Sequence, residues 1–272
     1  MTNYFRPPFV CAWLLFIGWN ISPAQAQKNL SWAVGPGLTQ YGGDVNEGQI
    51  GSHRAALNVE GWYPLTDRWQ LKSGLSVYGL RGQDVDPTRA RSFRSRNVEL
   101  YSSALYYFRR GLLTPFAYAG LGITTSRPRG ESQLGLWDLR DVQPEGRRVP
   151  GLLAMIPFGL GLEYEINPML SVVVDAAARY VLSDQLDAVS QETVAQEALS
   201  PLATDYYRSL SDPAVRRLNE AGVVAGGNSA TNDWYGMLLI KIKFTPWTGC
   251  LNPHRYARPQ GRRRGGKNYR PA

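Results

Sequence analysis

The chain is 272 residues long, 43% hydrophobic and 11% aromatic, with 28 Gly, 2 His and 2 Cys and a formal net charge of +8. So few imidazoles and thiols leave little material for metal cages or His-based catalytic triads, and no cofactor is expected. Beyond the N-terminal stretch, where a membrane anchor is the alternative to a signal, no run of 18 consecutive apolar residues is found for an ordinary membrane-spanning helix.

The first 26 residues read as a secretory signal peptide. Arg6 precedes an apolar run over residues 9–21, and Ala24 and Ala26 supply the small-residue pattern of a cleavage site. The run is shorter than the ~20 residues that span a bilayer, so the mature chain is expected to begin at Gln27. An exported chain without a spanning helix is soluble, lipid-anchored or a barrel, and no lipobox Cys stands at the cut.

Eight segments then alternate apolar and polar residues with the period of a strand. Over 29–41, Leu30, Trp32, Val34 and Leu38 share one face and Ser31, Ala33, Gly35 and Gly37 the other. Over 53–63, Leu57, Val59 and Tyr63 oppose Asn58 and Glu60. Over 68–81, Trp69, Leu71, Leu75 and Val77 oppose Gln70, Lys72 and Ser76. Over 96–108, Val98, Leu100, Ala104, Tyr106 and Phe108 oppose Asn97, Glu99 and Tyr101.

The fifth segment, 115–126, alternates less cleanly. Over 154–165, Ile156, Phe158, Leu160, Leu162 and Tyr164 oppose Gly159, Gly161, Glu163 and Glu165. Over 170–180, Leu170, Val172, Val174, Ala176, Ala178 and Tyr180 oppose Ser171, Asp175 and Arg179. Over 234–244, Trp234, Leu238, Ile240, Ile242 and Phe244 oppose Tyr235, Met237, Lys241 and Lys243.

The connections alternate in length as well. Short links fall at residues 64–67, 109–114 and 167–168, and long ones at 42–52, 82–95, 128–152 and 184–232. Short turns on one rim and long loops on the other are the habit of outer-membrane barrels, whose turns face the periplasm and whose long loops are extracellular. The expected fold is therefore all-β: an eight-stranded antiparallel up-and-down transmembrane β-barrel over residues 27–250, in the cell outer membrane, with both termini periplasmic. A lipocalin-like barrel or a sandwich would place the same alternation the other way, grease inward and charge outward.

The inward set favours the membrane barrel, because its acids (Glu60, Glu99, Glu163, Glu165, Asp175) and bases (Lys72, Arg179, Lys241, Lys243) nearly balance. An eight-stranded barrel is narrow enough for side chains to fill, and paired charges can be buried. Such an ionic plug disfavours a pore, and leaves a surface-binding barrel acting through its long loops as one alternative to a structural anchor or adaptor.

Within the longest loop, Asp212 as N-cap, Pro213 at the first helical position and Gly222 as a stop predict a short helix. His53 beside Ser52 invites comparison with barrel lipid hydrolases, against the plainer reading of a polar rim residue. The letters DVDPT over 84–88 match a phosphatase-type loop but lack the parallel strand that chemistry needs. The last 22 residues form a basic tail, with Arg255, Arg258, Arg262, Arg263, Arg264, Lys267 and Arg270 and no acid. It suits an acidic periplasmic protein, anionic lipid or plain solvation; nucleic acid is absent from the expected compartment. Cys250, left without a partner once the signal is removed, suggests an intermolecular disulfide.

Several phrases resemble the PorG-like outer-membrane β-barrel family of Bacteroidota: RNVELYSSALYYF (96–108), TPFAYAGLGI (114–123), LRDVQPEG (139–146), IPFGLGLEYEIN (156–167), SDQLDAVS (183–190), LSDP (210–213) and NDWYGML (232–238). The ordered series covers nearly the whole mature chain. The resemblance implies a non-catalytic outer-membrane partner of a periplasmic ring, made by a lipoprotein and its companion, in type IX protein secretion and gliding motility. The arginine-rich tail departs from that pattern.

Overall fold

A computed structural model describes residues 30–43, 53–83, 92–188, 193–194, 199–210, 223–224 and 232–246. The expected signal peptide, the DVDPT loop, the 212–222 helix, Cys250 and the basic tail all lie outside them.

In chain order the strands are β1 (Ser31–Gly42), β2 (Arg54–Pro64), β3 (Trp69–Gln83), β4 (Ser92–Tyr107), β5 (Leu113–Thr125), β6 (Pro128–Ser132), β7 (Gly135–Asp138), β8 (Leu152–Asn167), β9 (Leu170–Val181), β10 (Thr193–Val194), β11 (Val223–Val224) and β12 (Trp234–Phe244). Eight of them, β1 to β5 with β8, β9 and β12, form one antiparallel ring. The ring closes where β12 returns to β1, from Trp32 opposite Phe244 to Gly42 opposite Trp234. Closure removes the sheet edges that would otherwise present unpaired backbone groups.

Each of the eight expected strands is present, with ends shifted by a few residues. The faces fall as the alternation expects: Leu238, Ile240 and Ile242 are 51–58% exposed, whereas Lys241 is 0% and Lys243 4% exposed. A lipocalin-like barrel or sandwich would need the reverse. The fifth segment alternated poorly because β5 turns Phe116 and Tyr118 inward while Ala117 and Ala119 face out. Large rings inside and methyl groups outside blur the apolar-outside rule.

The short-turn rim is tied by local side chains. Thr66 Oγ1 accepts from Trp69 N at 3.0 Å between β2 and β3, and Asn167 Oδ1 accepts from Met169 N and Leu170 N at 2.9 Å each between β8 and β9. Both described ends of the barrel meet here, with Ser31 Oγ 2.9 Å from Thr245 Oγ1.

The opposite rim carries more structure than expected. β3 and β4 extend past their expected ends, and β4 pairs there with the β6–β7 hairpin. Two short helices follow, α1 (Leu139–Val142) and α2 (Pro201–Ser209). α2 starts from Ser200, whose Oγ accepts from Ala203 N at 3.0 Å, with Pro201 just inside. Leu139, Val142, Val149, Ala188, Ala203, Tyr206, Tyr207 and Leu210 pack into a second small core.

The β1–β12 seam rests on a close approach at Gly35. A side chain there would run into the backbone of Ile240 and Lys241. Gly35→Ala is therefore expected to destabilise closure by about 1–3 kcal/mol, a typical overpacking cost. Gly111→Ala, in open space, is expected to be silent. Unfolding of both variants in detergent, alongside the compact band on unboiled gels, checks this; equal behaviour of the two would refute the seam argument.

Candidate functional site

The site is the barrel interior, built by the inward half of every strand. At its centre four ionised side chains form an alternating ring. Lys241 Nζ lies 2.8 Å from Glu60 Oε2 and 2.7 Å from Asp175 Oδ2. Lys72 Nζ lies 3.4 Å from Glu60 Oε1 and 3.1 Å from the same Asp175 oxygen. All four side chains are fully buried. Three strands separate β3 from β9 in either direction round the ring, so Lys72 and Asp175 meet across the full lumen.

Two cations and two anions cancel, but neutrality alone is insufficient for buried charges. Each remaining lone pair and proton also needs a partner. Trp62 Nε1 donates to Glu60 at 2.8 Å, the Tyr101 hydroxyl donates to Glu60, and the Tyr118 hydroxyl donates to Asp175 at 2.9 Å. The Lys72 ammonium sits 3.2 Å from the Tyr118 ring centroid, a cation–π contact that adds charge stabilisation to this buried group.

Towards the long-loop rim, Arg179 Nη2 lies 3.2 Å from Glu99 Oε1. Ser76 donates to Glu99 at 2.8 Å and Tyr235 at 2.7 Å. Tyr78 stacks on Tyr235 with centroids 4.9 Å apart. Towards the short-turn rim, Lys243 Nζ lies 3.0 Å from Glu163, which also accepts from the Tyr107 hydroxyl at 2.7 Å. Lys243 stands 4.3 Å over the Trp62 ring.

The long-loop mouth is closed by the chain that follows β9. Leu186, Asp187 and Ala188 are buried there, Leu186 N donates to Asp233 at 2.9 Å, and the Tyr41 hydroxyl lies 2.9 Å from Asp187 and 2.5 Å from Asp233. Phe93 meets Tyr41 edge-on at 4.9 Å.

Of the nine charges expected inside, eight thus fall into three groups: Glu60, Lys72, Asp175 and Lys241; Glu99 and Arg179; Glu163 and Lys243. Glu165 lies on the inward side of β8 near the short-turn rim, half-buried, outside these groups. Sequence reasoning missed Trp62, Tyr78, Tyr107 and Tyr118, which complete the network. The signal was parity, since Trp62 stands two residues beyond Glu60, Tyr78 two beyond Ser76 and Tyr107 six beyond Tyr101. Of the remaining candidates, His53 is exposed at the long-loop end of β2, and Ser52, Cys250 and the tail from Arg255 to Arg270 lie outside the described residues. No cluster of three or more His, Cys, Asp or Glu able to hold a metal occurs among the described residues.

Burial grades the three groups, and so should mutation. Lys241→Met leaves Glu60 and Asp175 sharing a single ammonium and is expected to cost about 3–5 kcal/mol. Lys243→Met, whose partner Glu163 keeps 13% side-chain exposure, is expected to cost less. Adding Glu60→Gln to Lys241→Met should cost clearly less than the two single changes summed, because the pair is coupled. Denaturant unfolding in detergent micelles reads all of these; additive costs would show that the ring does not act as a unit.

No protein-family model matches the chain, and no characterised protein matches it by sequence. The family that the ordered phrases resemble therefore gains no support from either comparison. Among solved structures the chain is similar to Ail, the attachment invasion locus protein of Yersinia pestis, at 10% identity and a TM-score of 0.39, over 79% of this chain and 97% of that one. It is similar to Neisserial surface protein A at 12% identity and 0.40, over 80% and 97%. It is also similar to the N-terminal β-barrel domain of Pseudomonas aeruginosa OprF at 13% identity and 0.38, over 80% and 98%. The barrel described above stands on its own strand pairing and burial.

Proposed function

We propose that this chain spans an outer membrane as a closed, side-chain-filled barrel and serves there as a structural anchor or adaptor, without catalysis. The observation that carries the reading is the inverted burial: apolar residues around the outside, neutralised ions within. A water-exposed belt including Trp32, Val34, Leu75, Leu100, Leu160, Leu238 and Ile240 far exceeds what a soluble protein leaves bare. Against acyl chains the same belt is at home.

Its height fits. The eleven residues of β12, at about 3.3 Å each and tilted by about 40°, cover about 25 Å of membrane normal, the height of the apolar band of such barrels. Outward aromatics gather at the short-turn end: Trp32 opposite Phe244, Trp69 opposite Tyr106, and Tyr63, Phe108 and Tyr164. These are the amphipathic rings that prefer the headgroup level. Among the described residues, the buried charges and rings in the lumen and the segment 186–188 at the mouth support an anchor over a pore.

The finer assignment rests on the resemblance of the ordered phrases. On it, the short-turn rim and both termini face the periplasm, and the partner is the ring lipoprotein with its companion in type IX secretion and gliding. The basic tail would give electrostatic steering toward an acidic partner surface, and Cys250 would supply an intermolecular bridge.

Depth dependence tests the membrane reading. Ile240→Arg, mid-belt, is expected to cost about 2–4 kcal/mol in lipid vesicles, and Trp234→Arg at the rim about 0–1 kcal/mol, by denaturant titration. A soluble barrel would tolerate both alike. The adaptor reading has its own test, capture of the tagged full chain from detergent-solubilised outer membrane. Ring components should accompany the intact chain, be lost on deleting residues 251–272, and migrate with it on non-reducing gels through Cys250. Capture unchanged by the deletion would rule out the tail as the contact, and no ring component at all would end the adaptor reading.

A further inference from the structure

The outer face of the barrel is apolar to the top of β3 and β4 and then becomes abruptly basic. Climbing from the short-turn rim, the outward pairs are Trp69 with Tyr106, Leu71 with Ala104, Ser73 with Ser102, Leu75 with Leu100 and Val77 with Val98. The two serines of the third pair hydrogen-bond each other at 2.9 Å, so no polar group is left bare in the belt. The next pair is Gly79 with Arg96, followed by Arg81 with Arg94. Arg94 in turn lies opposite Arg129 on β6.

Three arginines on three neighbouring strands therefore stand side by side, with a fourth one step below. Like charges directly opposite one another destabilise a sheet. One carboxylate, Glu131, sits among them, 3.6 Å from Arg81, in contact with Arg94 and accepting from Ser92 at 3.1 Å. Asp138 of β7 lies opposite Arg129 but also caps α1 by accepting from Arg140 N at 3.1 Å. Among the described residues, the three guanidinium groups of the row face these two carboxylates, which leaves the row with an excess of positive charge.

Its height decides what meets it. Ten residues separate Trp69 from Gly79 and Tyr106 from Arg96, about 25 Å along the membrane normal at ordinary rise and tilt. The strip thus begins where the hydrocarbon ends and occupies the headgroup layer. It is also one-sided, for on the opposite wall the same level carries Trp234 beside Tyr180.

We infer that the outward row Arg81, Arg94 and Arg129 binds the phosphate-bearing headgroup of a glycolipid in the outer leaflet. This rests on the membrane reading. Arginine suits the task because its planar fork of donors matches phosphate oxygens bidentately. An anion seated across the row would also relieve the repulsion that one glutamate only partly offsets. The bound lipid has its acyl chains against Val77, Val98, Leu75 and Leu100 directly below, so charge and grease are recognised on one continuous face.

The probe is diphosphoryl lipid A in phosphatidylcholine nanodiscs holding the full chain, with retained lipid read by native mass spectrometry after detergent release. The intact chain should retain lipid A, and the Arg81→Gln, Arg94→Gln, Arg129→Gln triple variant should retain at least about tenfold less. Lipid A stripped of its phosphates should be retained no better by the intact chain than by the variant. Raising ionic strength should weaken retention of the phosphorylated lipid, since exposed charges are screened over about a Debye length. Single Arg→Gln variants at 81, 94 and 129 give graded losses should the triple variant fold poorly. Retention indifferent to the arginines or to the phosphates would overturn the assignment. Failure of the intact chain to insert into any disc would instead overturn the membrane reading, a separate outcome scored by the compact band on unboiled gels.

Discussion

Four fully buried charged side chains meeting in the lumen, Lys72 and Lys241 with Glu60 and Asp175, set the terms for the rest of the barrel. Strand geometry sends alternate residues to opposite faces, so a surface that is apolar outside leaves an inside that must accept whatever is polar. Eight strands enclose too little space for bulk water to solvate those charges. They are tolerated because they neutralise one another and because hydroxyl and indole donors take the remaining acceptor positions. Tyrosine is the recurrent solution, at Tyr78, Tyr101, Tyr107, Tyr118 and Tyr235, since its ring fills volume while its hydroxyl satisfies a carboxylate or hydroxyl opposite.

That arrangement also specifies register. A slip of one residue in β12 would turn Lys241 and Lys243 outward and drive Ile240 and Ile242 into the ionic interior, so both faces oppose it at once. The cross-lumen contacts then tie together strands that are not neighbours in the sheet: β3 to β9, β4 to β9, and β12 to β2 and β8. The result is a cylinder with a braced interior.

The two rims divide the remaining work. The short-turn rim is trimmed to tight turns and ringed with aromatics, and both described ends of the barrel emerge there. The long-loop rim carries a hairpin, two short helices and a small core of their own, with the segment at Leu186 to Ala188 folded into the mouth. Its outer wall is aromatic on one side and arginine-rich on the other.

The eight strands, their order along the chain, most of their inward and outward sets and the alternation of short and long links were legible in the amino-acid sequence, because period two depends only on local backbone geometry. Even the charges inside were legible as a set, since Glu60, Lys72, Asp175 and Lys241 each fall on the polar side of their own strand. Which charge meets which was not, because Lys72 and Asp175 are 103 residues apart and come together only when the ring closes at β1 and β12. The inward rings of Phe116 and Tyr118 were hidden for a related reason: an aromatic reads as outward grease until the lumen it fills exists. The arginine row was hidden too, as Arg81, Arg94 and Arg129 become one surface only through pairing across three strands. Local chemistry decided which way each side chain faces; closure of the cylinder alone decided its partners, since contacts across a lumen have no signature along the chain.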